Sequence, residues 1–292
     1  MVEKLLSKSK NSDVLLLGIG YDKTSSFGKG SDKGPKAIID CIDTQLELYE
    51  RNAKWSPARH LKISSEILEG IRDLEPEMMV EKVSSEITKR KDVKKFIISL
   101  GGEHSITIGL LDSLAKSSNK ITVLQIDAHL DLRDDDSDYS LKPSKFAHSC
   151  VMKRALDFGF RVVPVGIRAY ADFELETAKN NDLRIFEWPC AENEKLINEI
   201  VNSIKTKEVY ISLDVDGIDP SFMPATGTPV QGGLSWKFAF DLLREIFNKK
   251  NVIGADIVEV APRKNDQLTE FGAAQLCYYM VALKFKDIQL HK

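Results

Sequence analysis

The chain has 292 residues, 42% hydrophobic and 29% charged, with a formal net charge of −3. Such a balance suits an ordinary globular protein, leaves no broad basic surface for nucleic acid and includes no apolar run near the ~20 residues that span a bilayer. Cys41, Cys150, Cys190 and Cys277 are too scattered for a zinc ribbon or a redox pair. Residues 1–8 lack the apolar core of a signal peptide, and a reduced, cytoplasmic setting is expected.

In chain order, residues 14–19 predict a short buried strand that runs into a loop rich in glycine, with Gly18, Gly20, Gly28, Gly30 and Gly34. Neither the GxGxxG nor the Walker pattern is present, so this loop is expected to border a site mouth instead of cradling a phosphate. Pro35 suits the first turn of a helix continuing through Ile42. Residues 46–74 show no clear period, and His60, without acidic neighbours, is expected at the surface. Met79, Val83 and Ile87 recur every four residues after Pro76 and mark a helix.

From there strand and helix alternate. Strands are expected at 96–100, 121–127, 161–167, 184–186, 209–213 and 252–260. Helices are expected at 106–114, 150–156, 196–204, 238–247 and 273–285. Strands separated by helices imply a mainly parallel central sheet covered on both faces, an α/β three-layer sandwich. No repeat or linker divides the chain, and a single domain over 1–292 is the expectation.

Three stretches carry chemistry at the ends of those strands. Asp127, His129 and Asp131 follow an apolar, β-branched run at alternate positions, and alternate residues of an extended chain share a face. Asp214 and Asp216 repeat the arrangement after the apolar residues Ile211 and Leu213. Two strands that each end in spaced carboxylates call for a cation between them. His104, in Gly101-Gly102-Glu103-His104-Ser105, would alone more often cap or pack a helix. Three of the five histidines (His104, His129, His148) fall within this one region, however, which favours a site. Four carboxylates and two imidazoles without a thiolate form a hard donor set suited to Mn²⁺.

These motifs resemble those of the ureohydrolase family, which includes arginase and agmatinase. The resemblance extends through Ser212–Pro220, Pro224–Pro229, Gly232-Gly233-Leu234 and Asp256–Pro262, and covers the chain from about Val14 to the last helix. Glu103 departs from the family's usual Asp, at a position that is not a ligand. The resemblance implies an arginase-like fold, two Mn²⁺ per chain and assembly as a homotrimer or homohexamer. By the same resemblance one ion is held by His104, Asp127, Asp131 and Asp214, the other by His129, Asp127, Asp214 and Asp216. Two ions that share a water acidify it, and Asp131 would aim it and relay its proton. Glu259 resembles the family's guanidinium-binding glutamate; the alternative is a surface residue on an edge strand. His148 resembles the histidine that assists proton transfer, with an intrinsic pKa near 6.5 suited to the task.

The expected partner is a small guanidino substrate, with neither nucleic acid nor membrane. The acidic run Asp134-Asp135-Asp136-Ser137-Asp138 would favour a cationic tail and therefore agmatine, cleaved to putrescine and urea in polyamine biosynthesis. Arginine and other amidino compounds (guanidinobutyrate, formimidoylglutamate) are the alternatives. An arginase-fold deacetylase would not need His104 or Asp216, and a non-catalytic relative should have lost a ligand.

Overall fold

The computed structural model describes residues 4–9, 11–90, 95–118 and 120–291, the last three by backbone alone. Its strands are β1 (Val14–Ile19), β2 (Ile63–Ile67), β3 (Phe96–Gly101), β4 (Ile121–Ile126), β5 (Arg161–Ile167), β6 (Phe186–Glu187), β7 (Glu208–Asp214) and β8 (Asn251–Val258). All pair in parallel in one sheet of order β2-β1-β3-β8-β7-β4-β5-β6. β1 and β4 are buried along their whole length. That is why they read as continuous apolar runs and not as an alternation.

Among the described residues eight α-helices cover the sheet: α1 (Gly34–Thr44), α2 (Pro76–Arg90), α3 (Ile106–Ala115), α4 (Val151–Asp157), α5 (Asp172–Asn180), α6 (Glu194–Ser203), α7 (Trp236–Lys249) and α8 (Leu268–Lys284). On one face Ile38, Ile200, Leu243 and Tyr279 pack on Leu16, Leu124 and Ile211, which seats α1, α6, α7 and α8 there. On the other, Val83, Leu111 and Met152 pack on Leu17 and Val123, which seats α2, α3 and α4. The expected sandwich with helices on both faces is therefore present.

Three local features differ from the sequence reading. β2 lies within the stretch that showed no period, because it is an edge strand in which only Ile63 is buried. α5 is also new; it buries only Glu174 and Ala178, too little for an apolar stripe. The strand expected at 121–127 stops at Ile126 and lies third from one edge, while β8 and β7 occupy the middle. His60 is exposed as expected and stacks on Trp55 with ring centroids 6.1 Å apart.

Candidate metal centre

Register gathers the site. Leu100 of β3 pairs with Ile257 of β8, Ile257 with Leu213 of β7, and Leu213 with Ile126 of β4. Four adjacent strands thus end level, and the residues just beyond them leave the sheet at one edge. These are the turn bearing His104, then Glu259 and Asp127, with Asp214 as the last residue of β7. The carboxyl edge, where strand order departs from chain order, is the usual position for a ligand in such sheets.

The side chains converge there. His104 Nδ1 lies 3.0 Å from Asp131 Oδ2, 3.3 Å from Asp127 Oδ2 and 3.5 Å from Asp214 Oδ2. His129 Nδ1 lies 3.1 Å from Asp216 Oδ2 and 3.6 Å from Asp127 Oδ1. Two groups could each hold a metal ion: His104 with Asp127 and Asp131, and His129 with Asp127 and Asp216. Asp127 belongs to both, one oxygen towards each imidazole. Asp214 adjoins the first group, while its Oδ1 accepts the Asp216 N–H over 2.9 Å.

Strand alternation alone does not produce this geometry. Past Ile126 the chain stays extended beside 165–169: Asp127 N–H donates to Val165 O, and Ala128 O accepts from the amides of Arg168 and Ala169. Asp131 then turns at φ 53, an uncommon conformation for a residue with a side chain. The amides of Met152 and Lys153, at the start of α4, donate to Asp131 O and hold the bend. Across the cleft, a Cβ on Gly217 would sit 2.6 Å from Asp127 N, and one on Gly102 1.9 Å from Tyr21 O. Only glycine lets these turns close.

Behind the ligands lies a buried support that the sequence reading did not single out. Gln125 Nε2 donates to Asp127 Oδ2, and Ala128 N–H to Asp216 Oδ1. Ser212 Oγ lies 2.9 Å from His104 Nε2 and donates to Asp256 Oδ1, while Thr107 donates to Asp256 Oδ2. Because Ser212 spends its proton on Asp256, its oxygen accepts from His104 Nε2–H. Nδ1 is then left to face three carboxylate oxygens from a buried position. Positive charge there, a proton or in its place a metal ion, satisfies such a set. The available signal was that Ser212 stands two residues before Asp214, on the same face of β7.

Protons show the same demand for positive charge. Burial opposes charge on His104, yet Asp127 and Asp131 outweigh it and hold the ring well above its usual pKa. His129 is likewise raised against burial by Asp216 and Asp127. Burial and then the charge of Asp127 push Asp131 up to about 7. Burial and the charges of Asp216 and Asp127 raise Asp214 well above its usual value. Asp127, between the two imidazoles, is lowered in spite of burial.

A cavity of about 350 Å³ opens onto the cluster, with His129, Asp131, His148, Asp214 and Thr228 among its lining residues. Burial, then the charges of His129 and His104, push His148 down to about 3, so it is a neutral ring. Its Nδ1 is 3.9 Å from Glu259 Oε1, and its Nε2 has no hydrogen-bond partner. Glu259 is buried, not on an exposed edge; it sits at φ 66 in the middle of the sheet edge and accepts His104 N–H over 2.8 Å. It is not among the cavity's lining residues, and lies beside His148. Ser26, from the glycine-rich loop, is on the wall, as expected of a loop near the mouth.

The acidic run does not form that mouth. Asp134 faces Lys153 and Arg154 at 3.4 and 3.7 Å. Asp135 accepts from Ser137 N–H, and buried Asp136 from Ser144 N–H. Asp138 pairs with Arg133. None of the four lines the cavity, because a short loop satisfies its own amides and nearby cations before it can face a ligand. Arg133, Tyr139, Tyr170 and Glu174 line it instead.

Fold and site define the α/β class whose binding site opens at the carboxyl edge of a parallel sheet. The chain belongs to the arginase family, whose model matches residues 12–282. It is 36% identical over 275 residues to an N(1)-aminopropylagmatine ureohydrolase of Synechocystis sp., covering 92% of this chain and 88% of that protein. It is 30% identical over 290 residues to an agmatinase of Blochmanniella floridana, covering 95% and 90%. Among solved structures, the agmatine ureohydrolase of Thermoplasma volcanium superposes with a TM-score of 0.85 at 28% identity, over 100% of this chain and 97% of that one.

Proposed function

We propose that this chain hydrolyses the guanidino group of a small amine-tailed guanidine, agmatine first, to urea and putrescine, with two Mn²⁺ per chain. The observation that carries this reading is the pair of imidazole–carboxylate groups, His104 Nδ1 facing oxygens of Asp127, Asp131 and Asp214 and His129 Nδ1 facing those of Asp127 and Asp216, with Asp127 shared between them. Two divalent ions would balance the four carboxylates. One would be held by His104, Asp127, Asp131 and Asp214, the other by His129, Asp127, Asp214 and Asp216. Imidazole and carboxylate donors suit Mn²⁺. Such a pair of ions supplies an acidified water to attack the guanidinium carbon.

The chain's own residues do the rest. Glu259 pairs with the planar guanidinium and orients it. Asp131 takes a proton from the attacking water and passes it towards the departing nitrogen, which leaves as the primary amine. Neutral His148, on the cavity wall, assists that transfer or the substrate's orientation. The same resemblance extends the proposal to a cytoplasmic homotrimer or homohexamer. Among the described residues no helix is long and apolar enough to cross a membrane.

A second reading, N1-aminopropylagmatine as substrate, is favoured by the names of several relatives. A neighbouring groove of about 860 Å³, sharing Ser26 and Tyr139 with the site cavity, offers room for a longer tail. The test is product release with Mn²⁺ supplied: urea from agmatine, N1-aminopropylagmatine, arginine and guanidinobutyrate, and formamide from formimidoylglutamate. Turnover of an amine-tailed guanidine above the others is expected; an outright preference for arginine, or no urea from any, would defeat the reading.

A further inference from the structure

We propose that Asp138, through its ion pair with Arg133, sets the charge presented to the substrate's tail, and so selects guanidines ending in an ammonium over those ending in a carboxylate. The inference rests on the guanidino-hydrolase reading above and deepens it.

Arg133 follows Asp131 by two residues and lines the site cavity. Its guanidinium lies 5.2 Å from the Phe173 ring centroid and 5.7 Å from that of Tyr139. Its backbone N–H donates to Ser149 O over 3.2 Å. Cation–π contact on two rings holds the guanidinium in place. Left alone, it would be a fork for carboxylates and would repel an ammonium tail. Asp138 prevents this: its carboxylate takes the Arg133 Nη1–H.

The other acidic residues of the loop cannot substitute, since Asp134 faces Lys153 and Arg154 while Asp135 and Asp136 accept backbone amides. With the pair neutral, the other charged residue of the lining outside the histidine–aspartate cluster is Glu174, whose carboxylate accepts from the amides of Leu132 and Ala171. The mouth is then negative, which suits a cationic tail. This differs from a loop acting by its summed acidity: one aspartate matters, and it acts by masking a cation.

The test compares kcat/KM for agmatine and guanidinobutyrate on Mn²⁺-supplied full chain; the two have similar reach and opposite terminal charge. Asp138→Asn unmasks Arg133 and should lower the agmatine-to-guanidinobutyrate ratio by roughly ten- to ten-thousandfold, since a unit charge about 6 Å away at an effective dielectric of about 20–80 moves each tail roughly three- to hundredfold in opposite directions. Asp138→Glu should restore it. Arg133→Met should move the ratio the other way, since it leaves Asp138 unpaired. The shift should shrink with salt, because the Asp138 side chain is 48% exposed. A merely structural loop would change both variants in the same direction, with a matching fall in melting temperature. An active wild type whose ratio stays put in both Asp138→Asn and Arg133→Met overturns this inference alone. A wild type that releases urea from no guanidine overturns the hydrolase reading, and this inference with it.

Discussion

His104 and Asp256 do not touch, yet Ser212 binds them into one unit, 2.9 Å from the imidazole and 2.8 Å from the carboxylate. This unit fixes which imidazole nitrogen faces the cluster. Support of this kind governs the affinity of a metal site as much as the ligands do.

Ser212→Ala removes the acceptor for His104 Nε2–H and leaves Asp256 short of a donor. Affinity for Mn²⁺ should fall by about 10- to 100-fold. Metal titration of the chelated protein measures this, and unchanged affinity would show that the ring is held by packing alone.

Metal removal should make stability depend on pH. Asp131 is held at about 7 by burial and then by Asp127, against about 3.9 for an unfolded aspartate. A carboxyl raised on folding costs stability as pH climbs between those two values. His104 and His129 are raised, so the stability they contribute is full below about pH 6.5 and is lost as pH rises through their folded values. Both signs agree. The metal-free protein should melt lower at about pH 8 than at about pH 6, and the increment from Mn²⁺ should grow over that interval as metal replaces protons. An increment that stays flat or shrinks would contradict the cluster's role.

Asp131→Asn keeps shape but removes the proton acceptor. In the metal-loaded enzyme kcat should fall by about 10²–10⁴. Near wild-type turnover would remove Asp131 from the proton path.

Glu259→Gln should weaken agmatine, arginine and guanidinobutyrate by similar factors, since it touches the group they share. A lost charge-assisted pair worth about 1.5–3 kcal/mol corresponds to roughly 10- to 150-fold in kcat/KM. A loss confined to one substrate would place Glu259 at the tail.

Much of this was legible in the residues. The buried strands β1, β3, β4, β7 and β8 announce themselves because burial on both faces demands unbroken apolar runs. His104, Asp127, His129, Asp131, Asp214 and Asp216 stand out because acidic and imidazole groups so close to such runs are costly without a cation. β2 and α5 were silent because each buries only one or two side chains. The acidic run misled because charge in a sequence has no direction: Asp134 to Asp138 turned to Lys153, Arg154, Arg133 and their own loop.

The sequence by itself determined the donor set and its chemistry, since two imidazoles and four carboxylates are a matter of composition at chain positions. The tertiary structure decided that they meet. β8 and β7 enter the sheet between β3 and β4, although they are the last strands made, and that non-local pairing brings His104 level with Asp127, Asp214 and Glu259. It also decided the bend at Asp131, set by amides of α4, and the carboxylate beneath His104, which reaches it from another strand through Ser212. Local propensity carries no information on such contacts, because their energy comes from residues 21 or more positions apart in the chain.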